Sequence, residues 1–164
     1  MEIVSRSPRA RLGVDLDGTI ARSFDELLRR GLPCTPESFV KVWRGWRGIG
    51  LVDVGVPTYV NALAGRYIPL LVTATSGNPD DVAQWVDAKG IWFDDLLFVG
   101  RDEKHKYCDI LVDDDPRTLN DLADRGKHGI LLRPTGDMER LHTANRSVRQ
   151  FGSWFRIYQY LSRR

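Results

Sequence analysis

The chain has 164 residues, 42% hydrophobic and 28% charged, which suits one domain with a real core and room for a small insertion. A formal net charge of +2 is too small to imply a nucleic-acid partner by itself, and no apolar run approaches a membrane span. Two cysteines, Cys34 and Cys108, give no disulfide framework, and the first eleven residues carry no apolar stretch of a secretory signal, so a cytoplasmic protein is expected.

Residues 1–9 are polar and expected to fray. Residues 10–15 make an apolar run of single-strand length that ends in Asp15, Leu16, Asp17 and Gly18, two carboxylates spaced i, i+2 before a turn residue. Strand residues two apart point the same way, so Asp15 and Asp17 are able to face one site. Close carboxylates repel, and one is pushed toward its protonated form unless a cation lies between them. A hard, oxygen-seeking ion such as Mg²⁺ meets that need, and a carboxyl that keeps its proton can act as a general acid. Alone, an Asp-Gly pair marks an ordinary strand-ending turn.

From Phe24 onward the spacing turns helical, with Leu27 and Leu28, a break at Gly31 and Pro33, then an N-cap at Thr35 with Pro36 at the first helical position. Phe39, Val40, Trp43 and Trp46 continue the pattern, which predicts two or three short helices within residues 23–55. A core helix over 57–64 leads into an apolar run at 68–73 that ends in the hydroxyls Thr73, Thr75 and Ser76. Asn78 and Pro79 open a further helix, with Val82, Trp85 and Val86 inward and Gly90 at its end. Residues 96–99 read as a strand, Lys104 and Lys106 as a basic cluster, and the strand from Asp109 ends in Asp113, Asp114, Asp115 and Pro116. A helix over 116–125 with Leu119 and Leu122 inward precedes a last core strand at 129–132.

Alternation of strands and helices predicts a parallel sheet covered on both faces, with ligands outside the carboxyl ends of its strands. In the tail, Val148, Phe151, Trp154, Phe155, Tyr158 and Leu161 predict an amphipathic helix of about four turns, packed on the domain or turned to a partner. His105, His128 and His142 have no zinc-ligand spacing.

Strand-Asp-x-Asp-Gly-Thr at Asp15 to Thr19, strand-Thr at Thr73, a lysine, then strand-Asp-Asp at Asp113 and Asp114 resembles, in that order, the haloacid dehalogenase (HAD) superfamily over about residues 10–135. The resemblance implies an α/β fold: a three-layer α/β/α Rossmann-like core with a parallel sheet (1–22 and 56–135), a small helical C1-type cap (23–55), and a tail (136–164) whose helix packs on the core. It also implies a Mg²⁺-dependent phosphomonoester hydrolase. Asp15 would attack phosphorus and form an aspartyl-phosphate, and Asp17 would protonate the leaving alcohol and then activate water. Thr73 would bind a phosphoryl oxygen, and a lysine would neutralise developing charge. Asp15, Asp17 (through its backbone carbonyl), Asp113 and Asp114 would hold the metal. Lys104 is preferred over Lys106, and Asp115 is read as a turn or N-cap before Pro116. The hydroxyl-rich loop leaves Thr75 as an alternative to Thr73.

Within the superfamily, residues 101–104 and 108–114 are similar to the 5'(3')-deoxyribonucleotidase group, which implies a nucleotide as the small phosphorylated substrate. Phe24, Trp43 and Trp46 would stack the base, a contact worth about 1 to 3 kcal/mol, with Thr75 also at the substrate; Thr19 and residues 74–77 depart from that group's pattern. Alternatives are a 3'-phosphatase on nucleic-acid ends, marked by a basic groove, and a non-catalytic HAD-like binding module. A monomer or homodimer is expected.

Overall fold

The computed structural model describes residues 8–133 and 147–164. Six short strands are β1 (Arg11–Val14), β2 (Ile68–Thr73), β3 (Asp95–Phe98), β4 (Ile110–Asp113), β5 (His128–Leu132) and β6 (Arg149–Phe151). They lie in the order β3-β2-β1-β4-β5-β6, and every neighbouring pair is parallel. The α-helices are α1 (Ser23–Arg29), α2 (Pro36–Arg44), α3 (Val56–Leu63), α4 (Pro79–Ala88), α5 (Pro116–Asp124) and α6 (Trp154–Leu161). The parallel sheet is the one expected from the alternation of elements, and the Rossmann-like α/β architecture is the one the resemblance implies.

Both faces of the central strands are covered, so these strands read as unbroken apolar runs rather than alternating ones. The alternation appears instead in which side each residue packs. Ile110, Val112, Ile130 and Leu132 join the larger core cluster, whereas Leu111 and Leu131 meet Leu119 and Leu122 of α5 on the opposite face. Gly13 lies on that second face, where a Cβ would sit 2.9 Å from the Sγ of Cys108. Three helices begin as polar caps dictate: Thr35, Asn78 and Asp115 each accept from a backbone N–H of the first turn, with proline just inside.

The segment between β1 and α3 is closed at its base by backbone hydrogen bonds from Arg22 to Gly50 (2.9 Å) and from Val52 to Ile20 (3.0 Å). Its helices α1 and α2 meet through Phe24 and Phe39, edge to face at 5.3 Å. The segment is also anchored to the core: Trp43 of α2 is fully buried edge-on against Trp85 of α4, at 5.8 Å.

The tail differs from the four-turn helix that its spacing predicts. Residues 149–151 form β6 beside β5, and Gly152 and Ser153 break the pattern before α6, whose first turn is capped by the Ser153 hydroxyl. The inward stripe is Trp154, Ile157 and Leu161, while Phe155 is 46% exposed. The Trp154 indole donates to the Thr19 carbonyl (2.8 Å), and Tyr67 Oη donates to the Leu161 carbonyl (2.9 Å), which fixes the tail helix to the core. The boundary at 135/136, His142 and most of the expected frayed N-terminus lie outside the described residues. Among the described residues no helix is long and apolar enough to cross a membrane.

Candidate active site

The strand order reverses between β1 and β4, and at such a switch point the diverging connections leave a crevice beyond the strand ends. Asp15 follows β1 and donates its backbone N–H to the Val112 carbonyl of β4 (2.9 Å), while Asp113 is the last residue of β4. The two carboxylates are therefore delivered side by side. Lys104 comes from the 3-10 turn Arg101–Lys106 that precedes β4. It is 4% exposed, and its Nζ donates to Asp15 Oδ1 (2.6 Å) and Asp113 Oδ2 (2.8 Å). Burial opposes its charge, but the two carboxylates raise its pKa above the ordinary lysine value and hold it protonated.

Three acids crowd this point. Carboxylate oxygens of Asp15, Asp113 and Asp114 all lie within 4.8 Å of one another. Burial, then the nearby Asp113 charge, pushes the Asp15 carboxyl well above its usual range, with Lys104 pulling the other way. Burial and Asp113 push Asp114 to about 7. A single lysine thus leaves the group short of positive charge. The donors are all oxygen and anionic, which suits a hard divalent cation such as Mg²⁺. Asp113 also accepts the backbone N–H of Asp115 at Oδ1 (2.9 Å), so its orientation is fixed from two sides.

Two residues make this crowding possible. Gly18 has φ +79°, and a Cβ there would stand 2.3 Å from Asp114 Oδ2; glycine serves both the turn and the close approach. Thr19, fully buried, presents its hydroxyl to Asp15 Oδ2 (3.3 Å) and Asp114 Oδ1 (3.4 Å), donating to one of them at a time. In the sequence Thr19 closes the Asp-x-Asp-Gly-Thr motif and departs from the nucleotidase group's pattern, and neither feature by itself gives it a role in the site. Its place directly after Asp-x-Asp-Gly is the signal that it lies within reach of Asp15.

Asp17 is in different company. Its Oδ1 accepts the Trp43 indole N–H (3.1 Å), and the Ser23 and Thr75 hydroxyls lie near the same carboxylate, the buried Ser23 hydroxyl without a hydrogen-bond partner among the described residues. Burial raises its pKa, and these donors, with Lys104 more distantly, oppose the rise. Its side chain stands apart from the Asp15–Asp113–Asp114 group, so a four-carboxylate metal cluster does not assemble; any part of Asp17 in metal binding falls to its backbone carbonyl.

Thr73 ends β2, buried, with its Oγ1 accepting the Thr75 backbone N–H (3.1 Å), and Thr75 Oγ1 accepts from Gly77 (3.2 Å). The loop crosses directly over the Trp43 ring, and a Cβ on Gly77 would lie 2.5 Å from it. Thr73 and Thr75 both line a cavity of about 500 Å³, with Asp15, Asp17 and Lys104 on its floor. Lys106 is turned away, paired with Glu103 in solvent. Asp115 caps α5 and also lines the cavity.

The aromatic expectation needs correction. Trp43 is fully buried and its N–H is engaged by Asp17, so it presents no face to a substrate. Trp46 lies outside the cavity lining and carries the Arg47 guanidinium over its ring at 4.8 Å. Phe24, 40% exposed, does line the cavity, together with Phe39, which the helical spacing assigned to packing.

No protein-family model and no curated protein matches the sequence. Solved structures do match the fold. An L-2-haloacid dehalogenase from Xanthobacter autotrophicus with chloropropionic acid covalently bound has a TM-score of 0.66 at 8% identity, with 94% of this chain and 99% of that chain covered. YfnB from Bacillus subtilis, described as a HAD-hydrolase and bound to magnesium, has a TM-score of 0.63 at 13% identity, covering 94% of this chain and 100% of that one. The haloacid dehalogenase-like protein SP0104 from Streptococcus pneumoniae has a TM-score of 0.64 at 13% identity, with 93% and 98% covered. At such identities the likeness is one of fold: the chain has the α/β architecture of the HAD-type hydrolases.

Proposed function

We propose that the protein is a Mg²⁺-dependent phosphomonoester hydrolase with Asp15 as nucleophile, acting on a small phosphorylated substrate, a (deoxy)ribonucleoside monophosphate. The observation that carries this reading is the unlike surroundings of Asp15 and Asp17, two residues apart at one cavity. Lys104 aims Asp15 and, together with the positive charge that a bound ion would add, favours the anion that attacks phosphorus and forms an acyl phosphate. Asp17, buried among neutral donors with a raised pKa, gives its proton to the departing alkoxide. The resulting Asp17 carboxylate takes a proton from the water that then attacks the phosphorus and releases Asp15. Thr73, through its hydroxyl, and Lys104 face the phosphoryl oxygens, where negative charge is spread in the transition state. Asp15, Asp113 and Asp114, with the Asp17 carbonyl, would hold the ion. When bound, Mg²⁺ supplies the positive charge that this carboxylate group lacks and screens it from the incoming phosphate.

Dehalogenases share the fold. A halide leaves without a proton, however, so a buried aspartate held by the Trp43 N–H with a raised pKa would have no task in that reaction. The cavity of about 500 Å³ with its Phe24–Phe39 edge supports a small molecule with a flat body in preference to a nucleic-acid end. A panel of phosphomonoesters, including nucleoside 5'- and 3'-monophosphates, and a 2-chloro acid tests the reading with Mg²⁺ and with EDTA. Phosphate release in Mg²⁺ is expected, lost in EDTA and reduced on the order of 10³-fold or more in Asp15→Asn. Chloride release without phosphate release would overturn it.

A further inference from the structure

Lys104 gives two of its three donors to Asp15 and Asp113, inside the site. The cavity nevertheless carries two further cations, Arg101 and Arg117, both on its rim. They arrive from different elements, Arg101 from the 3-10 turn that also bears Lys104 and Arg117 from the first turn of α5. One carboxylate holds them together. Asp115 Oδ1 accepts the backbone N–H of Arg117 (3.0 Å) and its Nε (3.3 Å), and Asp115 Oδ2 pairs with Arg101 Nε at 3.4 Å. Asp115 is 22% exposed at its side chain, whereas the arginines are 57% and 76% exposed.

The trio carries a net charge of +1. Each guanidinium has five N–H donors in a planar fork and gives only one or two of them to Asp115. The remaining donors are available to an anion that enters the cavity, and planar forks suit a phosphate. Both arginines also border an adjoining hollow with Asp102 and Asp121; Asp121 is paired there with Arg125 at 3.3 Å, and neither acid lines the main cavity that the arginines share with Lys104. Arg101 and Lys104 are three residues apart in a 3-10 turn, which places them on one side, so a single element sets both the inner and the rim cation.

We infer that Arg101 and Arg117, clamped by Asp115, form a second anion subsite, so that the preferred substrate carries another phosphate besides the phosphoryl group presented to Asp15. This deepens, and rests on, the reading of Asp15 as nucleophile. The Phe24–Phe39 edge lies on the insert's side of the cavity and takes a flat group carried by the sugar-like body that joins the two phosphates. A nucleoside 3',5'-bisphosphate has this form.

Steady-state kinetics in Mg²⁺ on a nucleoside 3',5'-bisphosphate and the matching 5'-monophosphate test it, for wild type, Arg117→Gln and the double variant Arg101→Gln/Arg117→Gln. Wild type is expected to show a KM about tenfold lower for the bisphosphate, the gain of one charge-assisted contact. The double variant is expected to erase that preference by raising the bisphosphate KM, with the ratio of the two kcat values held. Arg101→Lys/Arg117→Lys is expected to restore part of it, because charge without the fork survives. Equal KM values in wild type, or a loss equal on both substrates, would overturn the subsite. Calorimetric binding of the bisphosphate to Asp15→Asn, with and without the arginine pair, reads the subsite without turnover. An affinity unchanged by the arginine substitutions refutes it. A tenfold difference in affinity with no phosphate release by wild type sustains the subsite and refutes the phosphatase. Arg117→Gln, at the more exposed position, keeps the test available should the double variant unfold.

Discussion

Asp15 and Asp17 are both buried carboxylates at one cavity, yet different parts of the fold surround them. Asp15 sits among ions brought by the sheet rim and its turn: Lys104 at 2.6 Å, with Asp113 and Asp114 beside it. Asp17 sits among neutral donors brought largely by the helical insert and its base, Trp43 from α2 and Ser23 from α1, with Thr75 from the loop after β2. Lys104 draws Asp15 toward its ionised form, against burial and the neighbouring Asp113 charge, and aims it. Asp17 has no cation in direct contact among the described residues, and its neutral donors offset burial only in part. Environment thus distinguishes two otherwise equivalent side chains, which is what the proposed division of roles requires. The division also follows the architecture: the sheet supplies the surroundings of Asp15 and the insert most of those of Asp17.

The largest effect that could break this comparison is on Asp17. Asp17→Asn preserves size and hydrogen bonding to Trp43 but carries no transferable proton. We expect kcat on an alkyl phosphate to fall about 10²- to 10³-fold, the usual worth of general acid catalysis, and to fall much less on p-nitrophenyl phosphate, whose leaving group departs without a proton. The wild-type rate should decline on the alkaline side as Asp17 ionises, and its raised pKa places that decline above the range of an ordinary aspartate. Equal losses on both substrates would remove the acid role.

A smaller effect sharpens the same point. Trp43→Phe removes the indole N–H from Asp17 while keeping an aromatic ring against Trp85 and under Gly77. That N–H stabilises the ionised form, so its loss raises the Asp17 pKa further and moves the alkaline decline to higher pH. We expect about a three- to tenfold loss of kcat on alkyl phosphates from poorer aim, the scale of one hydrogen bond. An unmoved pH profile would show that Trp43 only fills space.

Much of this was legible in the chain because the information is local. Five strands could be read because each is a short apolar run stopped by acid, hydroxyl or glycine, and α2, α4 and α5 because cap and proline are adjacent. β6 escaped because three residues, two of them Arg149 and Gln150, are too few and too polar to show a period, and their aromatics extended the apparent stripe of α6 backward. Lys104 and Lys106 stood as alternatives because both belong to one basic cluster; the three-residue period of a 3-10 turn, which aligns Lys104 with Arg101 and not Lys106, separates them only once that turn is known. Trp43 was misread for a similar reason. Helical spacing placed it near the site, but whether an indole faces a ligand or a carboxylate depends on Asp17, Gly77 and Trp85, three partners distant in sequence.

The smallest expected effect concerns what holds the insert, and through it Asp17's side of the site. Glu26 of α1 is 4% exposed and accepts from Arg29 (2.6 and 2.7 Å) and Arg30 (2.6 Å), while Arg30 also donates to the Lys41 carbonyl of α2 at 3.3 Å. The Arg29 hydrogen bonds, opposed by burial and joined by those of Arg30, lower the Glu26 carboxyl to about 2. A folded-state pKa below the unfolded value gives stability that is full above the ordinary glutamate range and is lost as pH falls from about 4.5 toward 2. Arg29 is 68% exposed, so solvent screens much of the gain, and Glu26→Gln is expected to cost about 1 kcal/mol near neutral pH. Thermal unfolding from pH 7 to pH 3 reads this as a Tm gap between wild type and variant that closes as acid is added. If the sheet and the insert divide the site as described, the variant should lower kcat on alkyl phosphates more than on p-nitrophenyl phosphate, because α2 carries Trp43 to Asp17 and no part of the Lys104 arrangement.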